Sequence, residues 1–241
     1  MANEKGAMAT KKWFPLESNP TLMNSYIQKL GFDTSLYEFV DVYSTEEWAL
    51  SMIPQPVVAV IMLYPLTEVQ ENHRKAQIID SVNSDHVIWF IKQRIDNACG
   101  TIGLLHSLLN IPKDLRVASI APNSWLNKFY DDCPPNLTPD QKAERLEVDD
   151  IIETLHDSAT SDSCNQTARG DPGDDVITHF VALINVDGGL YEMDGRKEGP
   201  VYHGSTSETT LLVDSCKVVE SFMQRDPDEM RFTIMALAHK I

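Results

Sequence analysis

This 241-residue chain has no apolar run near the roughly 20 residues that a bilayer-spanning helix needs. Its run VVAVIMLY (Val57 to Tyr64) is only of strand length, so no membrane span is expected. Basic residues are scarce, with 20 Lys and Arg against 36 Asp and Glu, for a formal net charge of −16. A surface that acidic repels nucleic acid and anionic membrane and suits a cationic partner, although solubility alone would also account for it. Cysteine is sparse too. Cys99, Cys133, Cys164 and Cys216 form no CxxC pair and have no clustered histidines beside them, which argues against a zinc site. The start, MANEKGAMATKK, lacks the apolar stretch of a secretory signal. Free thiols in a reducing compartment are the expectation.

What is present reads as an α+β chain without internal repeats. Residues 1–12 read as a disordered tail or an expression remnant, and 13–241 as a single domain. Asn19 followed by Pro20 predicts a capped helix through about Leu30. YEFVDVY alternates as a strand, Ser44 and Glu47 predict a capping box, and VVAVIMLY predicts a central strand. VIWF (Val87 to Phe90) reads as a further strand, and TPDQ at Thr138 as a second capping box. VITHFVALINV predicts a strand that turns through DGG into LYEMD, and a helix over Thr209 to Gln224 precedes the strand MRFTIMALA. Between these elements, Asp157 to Gly173 contains no large apolar residue and reads as a surface loop of unusual length. Together they predict helices covering a mainly antiparallel sheet.

The stretch QRIDNACG (Gln93 to Gly100) is the first with chemical content. Cys99 sits where a helix is predicted to begin, near unsatisfied N–H groups that favour a thiolate. A cysteine there is either a small buried residue or a nucleophile. His179, in a doubly apolar strand, needs partners for its ring nitrogens. Asp194 ends the strand paired with it, and counting through the DGG turn sets the two nearly opposite, so that the carboxylate would accept from the imidazole Nδ1–H. Gln93 would offer an amide to an oxyanion together with the Cys99 backbone N–H. Arg94 and Asp96 read as solvated turn residues.

Gln, Cys, His and Asp in that order describe a papain-like thiol hydrolase. The blocks WFPLESNP, FVDVY, MIPQPVVAVIMLYP, FIKQRIDNACGTIGLLHSL, THFVAL, LYEMDGRK and RDPDEMRF resemble the ubiquitin C-terminal hydrolases, over essentially Trp13 to Ala238. The spacings agree as well, six residues from Gln93 to Cys99 and fifteen from His179 to Asp194. The resemblance implies a papain-like α+β fold of the short stand-alone branch, with an active-site crossover loop at 157–173. Gln93 would be the oxyanion donor, Cys99 the nucleophile, His179 the general base and Asp194 its orienting partner, with no metal or cofactor. Pro15 and Leu16 would touch the apolar surface of ubiquitin, and Asn97 and Thr178 its tail. The acidic stretch from Glu147 to Asp175, nine carboxylates against Arg169, would meet the arginines of that tail. The implied protein is a cytoplasmic monomer, present also in the nucleus, that removes small or unstructured adducts from ubiquitin. A low-turnover ubiquitin binder, or an enzyme preferring the neddylation modifier, is the alternative.

Overall fold

The backbone is built around one six-stranded antiparallel sheet, and the computed structural model describes residues 11–77, 87–164 and 176–241. In chain order the elements are α1 (Pro20–Leu30), β1 (Tyr37–Asp41), α2 (Glu47–Leu50), β2 (Val57–Pro65) and α3 (Glu68–Ala76). They continue as α4 (Cys99–Leu109), α5 (Lys113–Ser119), α6 (Trp125–Asp132), α7 (Pro139–Glu147) and α8 (Asp150–Thr160). The chain then forms β3 (Thr178–Val186), β4 (Gly189–Met193), β5 (Val201–Ser205), α9 (Leu211–Arg225) and β6 (Thr233–His239). The strand order is β1-β6-β2-β3-β4-β5. Among the described residues no helix is long and apolar enough to cross a membrane.

Strand periodicity divides the core in two. Phe180, Ala182 and Ile184 of β3 face one apolar cluster with α1 and α4, whereas Val181 and Leu183 face another with α9. Both faces of β2 and β3 are thus covered, which is why their sequences are apolar throughout.

Local signals explain most boundaries. The Asn19 side chain accepts from the N–H groups of Thr21 and Leu22, and Pro20 opens α1. Thr138 and Gln141 form the capping box that starts α7. Asp187 (φ 49°) and Gly188 (φ 82°) make a two-residue turn of the type that joins β3 to β4 with the right twist.

Several expectations are corrected. The Ser44–Glu47 capping box does not form: Ser44 accepts from the Glu46 N–H, and α2 starts without a side-chain cap. VIWF is extended but joins no strand. The N–H of Trp89 within it and that of Ile91 just after it are taken by side chains, by Asn110 Oδ1 and His106 Nε2 respectively. The expected loop is helical as far as Thr160, because α8 carries an amphipathic face into the core through Ile152, His156 and Ala159. Residues 165–175 of that loop, and residues 1–10 of the expected tail, lie outside the described residues. Lys11 and Lys12 are described: Lys12 bridges to Asp96, and Lys11 pairs with Glu153.

Candidate active site

The turn before α4 presents Cys99. Asn97 adopts φ 62°, a left-handed conformation that asparagine tolerates, and its amide donates to the Trp13 carbonyl at 2.9 Å. Ala98 offers no side-chain cap, so the first N–H groups of α4 are left for the thiol of Cys99, the first helical residue. Burial pushes that thiol up. The hydrogen bond and charge of His179, together with the amides of Phe180 and Gly100, outweigh burial and hold it below its ordinary value.

His179 lies near the start of β3, opposite Tyr64 of β2, whose ring meets the imidazole edge-on at 5.9 Å. Its Nε2 bonds Asp194 Oδ1 at 2.7 Å, both side chains being buried. Nδ1 is thereby left for the thiol. This reverses the expected use of the two nitrogens, which gives Nδ1 to Asp194. The expected register is also corrected. Val186 pairs with Gly189 and Ala182 with Met193, so Asp194 continues opposite Val181, two residues along from His179 and on the same face. Burial pushes His179 down, but the Asp194 carboxylate and Cys99 hold it up at about 9. Burial would likewise raise Asp194, yet His179, the Arg196 N–H and the Lys197 charge hold it well below the usual carboxylate range. Both shifts favour a thiolate–imidazolium pair.

Gln93 reaches the same place from the extended segment. Its backbone N–H donates to the Gly195 carbonyl at 2.8 Å, and its side-chain amide donates one N–H to the Ile95 carbonyl at 3.2 Å. One amide hydrogen remains for a ligand oxygen.

A polar support behind Asp194 carried no sequence assignment. Glu71 of α3 grips Arg196 through two 2.9 Å bonds and also bonds Arg74, whose guanidinium reaches the Arg196 carbonyl. The Arg196 N–H in turn bonds Asp194 Oδ1 at 2.9 Å. Buried Glu192 pairs with Lys197 and, at 2.8 Å, with His203. Period-two spacing from Asp194 could have revealed Glu192, but no local signal points to Glu71.

The expected contact residues are spread out. Thr178, half-buried, begins β3 beside His179, and Pro15 is half-buried. Leu16 is 4% exposed and belongs to the core, where a Cβ on Gly100 would lie 3.0 Å from its own, so it is not presented as a surface contact. The Asn97 amide is taken by the Trp13 carbonyl. In the acidic stretch, Glu147 faces Arg94, Glu153 faces Lys11, and Asp149 accepts from Trp125. Arg94 is not a bare turn residue: it also meets Asp140 at 2.9 Å and Glu144 at 3.3 Å. Asp171, Asp174 and Asp175 lie outside the described residues. Among the described residues no three His, Cys, Asp or Glu side chains are grouped to hold a metal.

The arrangement has relatives. The sequence model of ubiquitin carboxyl-terminal hydrolase, family 1, matches residues 13–224. Ubiquitin carboxyl-terminal hydrolase 3 of Arabidopsis thaliana is 40% identical over 245 residues, covering 100% of this chain and 100% of that protein. Ubiquitin carboxyl-terminal hydrolase isozyme L1 of Homo sapiens is 38% identical, covering 92% of this chain and 96% of that protein. Among solved structures, the UCH37 catalytic domain of Trichinella spiralis, bound to ubiquitin vinyl methyl ester, aligns with a TM-score of 0.76. It is 21% identical and covers 97% of this chain and 98% of its own, a likeness of fold.

Proposed function

The chain belongs to ubiquitin carboxyl-terminal hydrolase family 1, a family of cysteine-type ubiquitinyl hydrolases, and on that premise we propose that it hydrolyses acyl bonds after the terminal glycine of ubiquitin, with Cys99 as nucleophile. The observation that carries this reading is the hydrogen bond from His179 Nε2 to Asp194, which leaves Nδ1 to the Cys99 thiol. The thiolate attacks the glycine carbonyl carbon, and its electron pair forms the C–S bond while the carbonyl π pair moves to oxygen. The Gln93 amide and the Cys99 N–H hold that oxyanion. As the oxyanion collapses, the bond to the leaving group breaks, and the leaving group takes the proton from Nδ1. Neutral His179 then takes one proton from a water whose oxygen attacks the thioester. The C–S bond breaks to restore the Cys99 thiolate beside the imidazolium, and the released carboxylic acid of ubiquitin gives its remaining proton to solvent. Asp194 keeps its negative charge throughout and fixes the ring.

The substrates proposed are small or unstructured adducts, admitted beneath the 157–173 segment, most of which lies beyond α8. Acidic side chains from Glu147 to Asp175 would attract the basic tail of ubiquitin. Pro15 and Thr178 would line its path, the chain acting as a monomer in the cytoplasm. The reading is tested by mixing the protein with ubiquitin bearing a C-terminal electrophile and mapping the modified residue. Labelling at Cys99, lost in Cys99→Ala, is expected. Labelling of another cysteine, or hydrolysis retained by Cys99→Ala, would sink it. The same probe built on the neddylation modifier tests the alternative tail, and shortening 157–173 tests the gate by its effect on adduct size.

A further inference from the structure

The extended segment that delivers Gln93 runs antiparallel to α4, and the helix stands in for a β-strand beside it. In an extended chain the N–H groups of residues 89, 91 and 93 point the same way. Two strand residues advance about 6.6 Å, and four helical residues about 6 Å. Helix positions four apart can therefore meet strand positions two apart, rung by rung. The first rung is Asn110, which caps α4: its Oδ1 accepts from the Trp89 N–H and its Nδ2 donates to the Trp89 carbonyl, both at 2.8 Å. This is the exchange an antiparallel strand would make. The second rung is His106, whose Nε2 accepts from the Ile91 N–H at 3.2 Å, with its ring stacked on Phe90 at 4.9 Å. At the third position α4 offers Ile102, which has no polar atom. The Gln93 N–H turns instead to the Gly195 carbonyl, and Gly195 packs so tightly on Ile102 that a Cβ there would lie 2.8 Å from its Cγ2.

We infer that His106 and Asn110 are positioning residues for the proposed reaction: they set the height of the Gln93 segment against α4, and hence the place of the Gln93 amide relative to the Cys99 thiol on the same helix. The inference rests on the function proposed above. Their acceptors have a defined chemistry. Nε2 accepts, so the His106 proton is on Nδ1, which is buried against the Met193 backbone without a formed hydrogen bond. His106 is fully buried, and a leucine in its place would leave the Ile91 N–H without an acceptor. A glutamine can put an oxygen close to where Nε2 lies.

The test is a set of double-mutant cycles on the full chain. His106→Leu, His106→Gln and Asn110→Ala are each made with Gln93 intact and with Gln93→Ala. The readouts are kcat and KM on a fluorogenic ubiquitin C-terminal amide, the rate of Cys99 alkylation by iodoacetamide, and amide hydrogen exchange over residues 87–95. With Gln93 present, His106→Leu and Asn110→Ala should each lower kcat about tenfold, as a displaced catalytic group does. In the Gln93→Ala background the further loss should be below about twofold, with KM and alkylation changed by less than about twofold in either. His106→Gln should recover most of the rate. Equal losses in both backgrounds, or a parallel fall in alkylation, would overturn the inference and leave a general packing role. Should His106→Leu not fold, half-buried Asn110 at the helix end carries the same test. A wild-type chain without turnover would instead refute the enzyme reading. In that event exchange decides, and unchanged protection at Ile91 and Gln93 in Asn110→Ala would overturn the positioning role.

Discussion

The backbone N–H of Gln93 and the carbonyl of Gly195 lie 2.8 Å apart, and this bond joins the chain entering α4 to the chain leaving the candidate carboxylate. Any residue other than glycine at 195 would intrude on it. A Cβ would stand 2.8 Å from Ile102 Cγ2 and 3.2 Å from the Gln93 nitrogen itself. Gly195→Ala should therefore destabilise the protein by about 1–3 kcal/mol, the usual cost of overpacking, and lower kcat further than that loss explains. Urea titration and turnover at a temperature where the variant is folded would check both parts.

Gln93 itself should act only in the transition state. Gln93→Ala is expected to lower kcat on the order of 10²–10³-fold with KM nearly unchanged, as the removal of an oxyanion donor does. A change confined to KM would show that the amide binds the ground state instead.

The pH profile follows from the pairing of Cys99 with His179. The thiol lies below its ordinary value and His179 is held at about 9. Iodoacetamide should thus alkylate Cys99 well below the pH at which a free thiol reacts, and hydrolysis should decline as the pH passes about 9. Removing the negative charge in Asp194→Asn lowers the imidazolium pKa and weakens the thiolate. The alkylation profile should move to higher pH and the alkaline limit of turnover to lower pH.

Stability gives an independent reading in Cys99→Ala, where thiol titration drops out. The His179 pKa is raised in the folded state above its unfolded value of about 6.5. Its contribution is therefore complete below about pH 6.5 and lost as the pH rises through the folded value. Asp194 is shifted the other way, and its contribution is lost on acidification. Without the raising contribution of Cys99 the folded His179 value falls below about 9. Urea midpoints of Cys99→Ala should therefore fall from about pH 6.5 upward and level off before pH 9, and adding Asp194→Asn should flatten that slope.

Asn97 offers a test of the turn alone. With φ at 62° and its amide on Trp13, Asn97→Gly should be milder than Asn97→Ala, which adds left-handed strain of about 1–2 kcal/mol. Thermal unfolding of the two variants would rank them.

Much of this was legible in the sequence because the signals are local. Asn19-Pro20, Thr138-Pro139 and Asp187-Gly188 act on their immediate neighbours, and each produced the element it predicts. The position of Cys99 at a helix start was readable for the same reason. The misreadings concern partners remote in the chain. VIWF has strand composition, but whether a strand or a helix side chain answers the N–H groups of Trp89 and the following Ile91 depends on Asn110 and His106, and apolarity does not encode that. His179 and Asp194 do not fall directly opposite because the hairpin centres between Asp187 and Gly188, with Val186 paired to Gly189, which sets Asp194 across from Val181. Glu71 reaches Arg196 across 125 positions, and nothing near either residue announces it.

The strand order has a consequence for how the molecule comes into being. β6, the last strand of the described sheet in chain order, pairs with both β1 and β2. Until it arrives, two of the earliest strands have open edges, and the apolar faces of β2 cannot be fully enclosed. A growing chain on the ribosome must hold these segments apart from other chains throughout the synthesis of everything between them. Pairing over so long a separation should make folding slow, with the open edges exposed to association in the meantime.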